Sequence, residues 1–469
     1  MPADRATASP PSDAGPALHA AGSRPCSADG FADESPAPGP TGRLTRRDWL
    51  LGQLGLAFGS AGMAAPALAQ SATPGPDDAR WVAAWAVAER DYRQQMVAPG
   101  WPTRPPRVFN DQTVRLRVQV ALGGRQWRVR LSNRWALEPL LIDQATLGLS
   151  TGGAALSPRS IVPLRFDGQA GLTLAPGATR WSDPVRFTAR AGQSLALSYH
   201  LARPFALAAG YPITREGGAG WVMPGDQCAQ AQPREAQALD WAPALSALDV
   251  QAARDTRLLV AFGDSLTDGG GAGDPQLGSY PLRLAARVRD LRPAVSVVNA
   301  GIGGNRLLRD GVADSALKRF ERDVLRQSGV THVLMLIGIN DIGFGRMNGE
   351  LSPLAPAAQL ADPPQLIAGF EQLMAAARAR GVQVLLGTLL PFGGAATWSE
   401  ENERTRQAVN RWIRGRQDVA AVVDFDAALR DAAVPQRLRA DFDSGDHLHP
   451  NAAGMAAMAD AVDLGELRE

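Results

Sequence analysis

Beyond residue 256, short continuous runs of apolar residues alternate with longer segments in which apolar residues recur at helical spacing. Runs without polar alternation are typical of strands buried on both faces, and strands that alternate with helices predict a parallel sheet covered on both sides. The fold class is therefore α/β, and any ligand is expected beyond the carboxyl ends of the strands. The predicted strands cover 258–262, 295–298, 333–337, 382–386 and 420–423, and the predicted helices cover 280–291, 314–327, 364–380, 400–416 and 452–462.

The segment 81–205 has a different pattern, in which apolar and polar residues alternate. Val114 and Leu116 belong to one alternating run, and a second run follows Gly123-Gly124, so we predict a β-hairpin with one buried face. Several short strands between turn residues favour a β-sandwich-like domain. The other predicted strands cover 145–149, 161–166, 185–189 and 195–201.

Residues 206–255 are rich in Ala, Pro, Gly and Gln, and we predict a connector with a short helix near 243–250. The preceding β-sandwich-like domain could be a carbohydrate-binding module, but the sequence identifies no exposed aromatic platform. We therefore favour a packing domain that forms one wall of the neighbouring site.

The N-terminal part, 1–69, combines a segment of disordered composition with the parts of an export signal. Arg46 and Arg47 precede a modestly apolar run that ends in a small-residue cleavage site at Ala69, as in a twin-arginine signal. An N-terminal membrane anchor is the alternative, although the glycines in the run make it a poor membrane span. We predict a linker at 70–80, export to the periplasm or the extracellular space, and transient contact with the twin-arginine export machinery.

Charge and cysteine content exclude several classes of protein. The chain has 48 Lys and Arg against 47 Asp and Glu, a net charge of +1, which argues against nucleic-acid binding because that needs a basic excess. Cys26 and Cys228 are too few for a disulfide scaffold or a cysteine-based metal site.

Polar segments follow the first three predicted strands, and a fourth lies near the C-terminus. The first contains Ser265, a weak nucleophile that needs an adjacent base. Of the histidines beyond the export signal, His200 lies in the β-rich part and His332 starts a strand at the far end of the sheet. His447 and His449 are therefore the remaining candidates for the base. Asp446 lies three residues before His449 and is able to orient its ring. The amide of Asn340 could stabilise an oxyanion together with the Ser265 N–H and a glycine N–H.

These four segments resemble the sequence blocks of the SGNH (GDSL) hydrolase family over about 256–465. Ser265 matches the serine of block I, Gly304 the glycine of block II and Asn340 the asparagine of block III. Asp446 and His449 match the Asp-x-x-His of block V. Together with its β-rich part, the chain is similar to two-domain bacterial members. The resemblance implies a three-layer α/β/α, flavodoxin-like hydrolase domain at 256–469 that uses a Ser-His-Asp triad and a Gly/Asn oxyanion hole, without a metal or an organic cofactor.

The expected function is hydrolysis of carboxylic esters with short acyl groups, with acetyl esters of a polysaccharide such as xylan as the first candidate substrate. A lipase or arylesterase is the alternative within the class, and a glycan-binding module with vestigial catalysis is the alternative outside it. A metal site formed by Asp446, His447 and His449 is a weaker hypothesis because no further His or Cys ligand is evident. We interpret Asp264 as a structural hydrogen-bonding residue, and the triple glycine 269–271, which lacks the Lys-Ser/Thr of a phosphate-binding loop, as a flexible turn.

Overall fold

The computed structural model describes residues 78–91, 107–206, 208–213, 218–273, 278–347, 350–351 and 359–468. The predicted export signal and most of the predicted linker lie outside the described residues. The chain divides into the units 1–70 and 71–469, and all the described residues belong to the second unit.

The first half of the described chain is β-rich, as the alternating pattern predicts. Its strands are β1 (Ala79–Ala86), β2 (Arg90–Asp91), β3 (Val108–Phe109), β4 (Gln112–Gln119), β5 (Gly124–Ser132), β6 (Leu140–Ile142), β7 (Gln144–Gly152), β8 (Ala155–Leu156), β9 (Val162–Pro163), β10 (Leu172–Leu174), β11 (Thr179–Trp181), β12 (Val185–Ala189), β13 (Ser194–Leu201), β14 (Phe205–Ala206), β15 (Ala209–Tyr211), β16 (Ala219–Pro224), β17 (Gln237–Leu239), β18 (Ala242–Pro243) and β19 (Leu245–Ala253).

Strands β4 and β5 do not form the predicted hairpin. β4 pairs with β13 and β16 in one antiparallel sheet, whereas β5 pairs with β19, β11 and β12 in another. Both strands bury their apolar residues, including Val114 and Leu116 on β4 and Trp127 and Val129 on β5. Alternation shows that one face of a strand is buried, but it does not identify the strand's partner. In this structure the glycine loop connects two different sheets.

The segment 206–255 is not an irregular connector, and the helix predicted near 243–250 is wrong. This segment contributes β19 to the middle of the sheet that contains β5, where it lies between β1 and β5. The polar residue Asp249 is tolerated in this buried strand because Arg128 Nε donates a 3.0 Å hydrogen bond to its carboxylate.

The second half is α/β, as predicted. Its strands are β20 (Arg257–Gly263), β21 (Val295–Gly301), β22 (His332–Leu336), β23 (Arg346–Met347), β24 (Glu350–Leu351), β25 (Gln383–Gly387) and β26 (Ala421–Val423). Its helices are α1 (Ser265–Asp268), α2 (Tyr280–Arg287), α3 (Ala316–Phe320), α4 (Ile339–Gly343), α5 (Pro363–Arg378), α6 (Glu400–Arg414), α7 (Phe425–Leu429) and α8 (Ala452–Asp460), and a π-helical turn, Glu321–Leu325, continues α3.

The five main strands form a parallel sheet in the order β21-β20-β22-β25-β26. The register aligns Gly263, the last residue of β20, with Gly301 of β21 and Leu336 of β22. The loops after these three strands therefore leave the sheet side by side. The three-layer arrangement with helices on both faces stays a prediction.

Strand β1 joins the β-rich half to the parallel sheet. Ala83 N donates to Ser328 O at 2.9 Å, and Ser296 Oγ on β21 donates to Ala83 O at 2.6 Å. Arg128 adds a hydrogen bond from Nη2 to Ser328 Oγ at 3.1 Å. Among the described helices, none is long and apolar enough to span a membrane.

Candidate active site

Ser265 is held at the start of α1 by a tight turn after β20. The side chain of Asp264 caps the helix by accepting a 3.1 Å hydrogen bond from Leu266 N, and the helix ends at Gly269, which has a left-handed conformation (φ 99°). Leu266 and Asp268 are buried, whereas Ser265 is partly exposed. The turn therefore presents the serine hydroxyl at the carboxyl edge of the sheet and bears out the structural interpretation of Asp264.

His449 contacts Ser265 directly, and Asp446 contacts His449. The Ser265 hydroxyl lies 2.8 Å from His449 Nε2, and His449 Nδ1 lies 2.6 Å from Asp446 Oδ2. Because a carboxylate can only accept, Nδ1 carries the proton in the neutral ring and Nε2 is left as the acceptor for the hydroxyl. The three side chains thus form one continuous hydrogen-bond chain.

The turn 444–451 fixes Asp446 and His449. Asp446 Oδ1 accepts from the backbone N–H groups of Leu448 (3.0 Å) and His449 (2.8 Å). Burial would raise the pKa of the Asp446 carboxyl, but the hydrogen bonds from the His449 imidazole and from these backbone groups hold it well below its usual range. Asn451, the last residue of this turn, caps α8, and its amide donates to Asp443 O, directly before the turn, at 3.0 Å. The carboxylate therefore stays ionised beside the ring.

His447 is turned toward a different partner. Its Nδ1 lies 2.5 Å from Asp443 Oδ2, and 52% of its side chain is exposed. His200 pairs with Asp111 in the β-rich half, and His332 opens β22, at the opposite end of the strand from the site. Within the described ranges, no group of three or more His, Cys, Asp and Glu side chains could hold a metal ion.

Gly304 and Asn340 lie on the loops after the two strands beside β20. Gly304 has a φ of 73°, and a Cβ built on it would lie 2.8 Å from Val312 Cγ2, so the position requires glycine. A Cβ built on its neighbour Gly303 would lie 3.9 Å from Ser265 Cβ, which places this loop against the serine. Asn340, at the start of α4, is buried, and its Nδ2 donates to Asn305 O at 2.9 Å.

The next residue, Asp341, binds the backbone of the loop that carries Gly304. Its two carboxylate oxygens accept from Leu307 N (2.6 Å) and Leu308 N (3.0 Å). Burial raises the pKa of the Asp341 carboxyl to about 6, against the effect of these hydrogen bonds. The Asn340-Asp341 pair thus holds the loop that carries Gly304.

Three contributions to this site were not predicted from the sequence. The triple glycine forms the predicted turn, but it also packs against the histidine: a Cβ built on Gly270 would lie 2.9 Å from His449 Cδ2. Arg319 and Asn305 connect the loops beneath the site. The three glycines in a row were a visible signal for close packing, whereas nothing in the sequence distinguishes Arg319 from other helical arginines.

The β-rich half also contacts α1, the short helix that begins at Ser265. Tyr211 OH donates to Asp268 Oδ1 at 3.4 Å, and Arg90 Nη2 lies 3.8 Å from Asp268 Oδ2. Asp268 in turn lies beside Gly303, whose built Cβ would be 3.3 Å from Asp268 Oδ2. That the β-rich half is a packing domain forming one wall of the site stays a prediction.

Solved structures and curated proteins were compared with this chain. A lipolytic protein of the G-D-S-L family from Desulfitobacterium hafniense is 19% identical, with 44% of this chain and 96% of that chain covered and a TM-score of 0.33. A catalytic mutant of an acetylxylan esterase from Geobacillus stearothermophilus is 25% identical (45% and 93% covered, TM-score 0.35), and an alpha/beta hydrolase from the metagenome of Lake Arreo, Spain, is 23% identical (45% and 94% covered, TM-score 0.35). A search of curated proteins found no match.

A family model matches residues 261–457, a range that includes Ser265, Gly304, Asn340, Asp446 and His449. Residues 261–457 of this chain belong to the GDSL-like lipase/acylhydrolase family.

Proposed function

We propose that this protein is an exported serine esterase that hydrolyses carboxylic esters of short acyl groups. The observation that carries the proposal is the continuous hydrogen-bond chain from Ser265 Oγ through His449 to Asp446, with distances of 2.8 and 2.6 Å. A serine becomes an effective nucleophile when a base lies within hydrogen-bond reach and a third group orients that base. The family to which residues 261–457 belong is one of lipases and acylhydrolases.

In the proposed reaction, His449 Nε2 takes the hydroxyl proton while Ser265 Oγ attacks the ester carbonyl carbon. The tetrahedral intermediate collapses as His449 returns that proton to the leaving alcohol oxygen, and the acyl group stays on Ser265. Water then gives a proton to His449 and attacks the acyl carbon, and the carboxylic acid leaves as the proton returns to Ser265 Oγ. Asp446 keeps its negative charge and stabilises the imidazolium in both halves of the cycle.

The oxyanion of each tetrahedral intermediate is proposed to bind three donors: Ser265 N–H, Gly304 N–H and one N–H of the Asn340 amide. The hydrogen bond from Asn340 Nδ2 to Asn305 O identifies the amide nitrogen and fixes its direction. Donors that are held in place before the reaction stabilise developing charge without reorganisation, and this effect is usually the largest in acyl transfer.

The apolar side chains beside Gly304 favour a small acyl group. Val312 is buried against Gly304, and Phe344 lies on the same side, with its Cζ 3.7 Å from a Cβ built on that glycine. These apolar side chains limit the room beside the proposed oxyanion site. Acetyl esters carried by a polysaccharide are the first candidate, since the predicted export signal would take the enzyme to such substrates.

The catalytic part is further proposed to be a three-layer α/β/α, flavodoxin-like domain. Its strand order, second-first-third-fourth-fifth along the chain, supports this proposal. So do two separate helix groups, in which α2 packs on β21 and α8, and α5 packs on β25, α3 and α6.

The function is tested by measuring kcat/KM for p-nitrophenyl esters from acetate to laurate, and acetate release from acetylated xylan, with Ser265→Ala as the matched control. The proposal predicts the highest kcat/KM for the acetyl or butyryl ester and acetate release from xylan that Ser265→Ala lacks. A preference for laurate would favour a lipase. Binding of xylan without turnover of any ester would favour a glycan-binding module and contradict the proposal.

A further inference from the structure

Arg319 is a fully buried arginine that the proposed reaction does not use, yet it connects the loops that form the site. We propose that Arg319 is the positioning residue of the oxyanion site: its guanidinium fixes the loop from which Asn340 and Gly304 take their orientation. The inference rests on the proposed function, because it says which residue holds the same oxyanion site in place.

The guanidinium joins three pieces of backbone. Arg319 Nη2 donates to Gly263 O, two residues before the serine, and Nη1 donates to Ala300 O at the end of β21, both at 2.8 Å. Arg319 Nε donates to Asn305 Oδ1, also at 2.8 Å. One planar group therefore sets the separation between the turn that carries Ser265 and the loop that carries Gly304.

Asn305 passes this restraint to Asn340. Its side chain is held at both ends, because Oδ1 accepts from Arg319 and Nδ2 donates to Asp314 O at 2.9 Å. Its backbone carbonyl accepts the 2.9 Å hydrogen bond from Asn340 Nδ2. The atom that orients the proposed oxyanion donor thus belongs to the residue that Arg319 holds, and Gly304 is the residue directly before it.

The position requires the fork geometry of arginine. A buried guanidinium is stable only when its donors are paired, and here Asp323 adds a partner 3.2 Å from Nη1. Asp323 belongs to the π-helical turn that follows Arg319, and such turns occur often at functional sites. A lysine has a point charge and cannot reach three acceptors in fixed directions.

The experiment compares Arg319→Lys with Arg406→Lys by measuring kcat and KM for p-nitrophenyl acetate. Arg406 is a matched control because it is also fully buried and donates to Leu389 O, Glu403 and Asp426, none of which belongs to the loop of Gly304. We expect Arg319→Lys to lower kcat by about 10- to 100-fold with KM changed less than about threefold, since misplaced donors weaken binding of the transition state more than of the substrate. Arg406→Lys is expected to change kcat less than about threefold.

The second arm repeats Arg319→Lys in the Asn340→Ala background. If Arg319 acts through Asn340, its loss has a much smaller effect once that donor is gone, as in any double-mutant cycle between coupled residues. Asn305→Ala keeps the backbone carbonyl but removes the link to Arg319, and it is expected to reproduce the kcat loss if Arg319→Lys does not fold.

A kcat within twofold of wild type for Arg319→Lys, an equal loss in Arg406→Lys, or an undiminished loss in the Asn340→Ala background would overturn the positioning role. Where Arg319→Lys does not fold, a wild-type kcat for Asn305→Ala overturns it. These outcomes differ from failure of the proposed function, which would appear as normal turnover by Ser265→Ala.

Discussion

Replacement of Asp264 by asparagine should stabilise the protein, and more so at higher pH. The Asp264 carboxyl is fully buried, and burial raises its pKa to about 7, against a hydrogen bond from Leu266 N–H and the nearby His449. Within the described residues, Oδ2 has no hydrogen-bond partner. Asparagine keeps the Oδ1 acceptor that caps α1 but carries no charge, so the substitution removes mainly the cost of ionisation.

The sign and size of this change in stability follow from the linkage between proton binding and folding. A carboxyl whose pKa is raised on folding contributes stability that is complete below its unfolded pKa of 3.8 and is lost as the pH rises through the folded value of about 7. The difference between 3.8 and about 7 corresponds to a total loss of stability on the order of 4 kcal/mol, of which about 2–3 kcal/mol falls between pH 5 and pH 8. The Asp264→Asn variant should not suffer this loss.

Urea denaturation at pH 5 and pH 8 measures the difference. We predict that the free energy of unfolding of Asp264→Asn, relative to wild type, increases by about 2–3 kcal/mol from pH 5 to pH 8. Asp463→Asn is the matched control, because Asp463 accepts a hydrogen bond from Gly465 N in the same i,i+2 arrangement but is exposed. A relative stability of Asp264→Asn that is equal at the two pH values, or lower at pH 8, would refute the reasoning.

Three further predictions concern turnover of p-nitrophenyl acetate. Asn340→Ala should lower kcat by about 10²–10³, the usual effect of losing one oxyanion donor, and a loss below about threefold would contradict its role. His449→Ala should lower kcat by about four to six orders of magnitude. The ring of His447 is bound to Asp443, so His447→Ala should keep kcat within a few-fold of wild type, and the reverse pattern would make His447 the base. Gly270→Ala places a methyl group 2.9 Å from His449 Cδ2 and should lower kcat by about 10- to 100-fold, and unchanged kcat would show that the ring can move without loss.

The parallel sheet could be predicted from the sequence because its strands are buried on both faces. All five main strands begin within one residue of the predicted starts, since short continuous apolar runs are typical of strands buried on both faces. Part of the candidate site was predictable for a related reason: parallel strands end at the same edge, so Ser265 and Asn340 follow neighbouring strands. Gly304 was identified by the resemblance to the SGNH (GDSL) family.

The β-rich half was less predictable because strand pairing depends on distant residues. The alternation in β4 and β5 is correct, yet the two strands belong to different sheets. In β19, Asp249 and Ser246 lie in a buried strand, and only their partners Arg128 and Arg130 make that possible. Such compensation is visible only when the chain is folded.

At the site, the partners of Arg319 were equally hard to predict from the sequence. Its i,i+4 pairing with Asp323 resembles a solvent-exposed helical ion pair, but its side chain is fully buried. Its acceptors, Gly263 O, Ala300 O and Asn305 Oδ1, come from three separate segments. No local pattern in the sequence indicates that these segments meet around one guanidinium.

The central claim is that Ser265 is the nucleophile, and the most direct test is the turnover of p-nitrophenyl acetate by Ser265→Ala, measured on protein with the same thermal midpoint as wild type. The hydroxyl lies 2.8 Å from His449 Nε2, so its removal leaves the base without a proton to take and the acyl group without an acceptor. We predict that kcat falls by about four to six orders of magnitude. Turnover within about tenfold of wild type would contradict the assignment of Ser265 and with it the proposed mechanism.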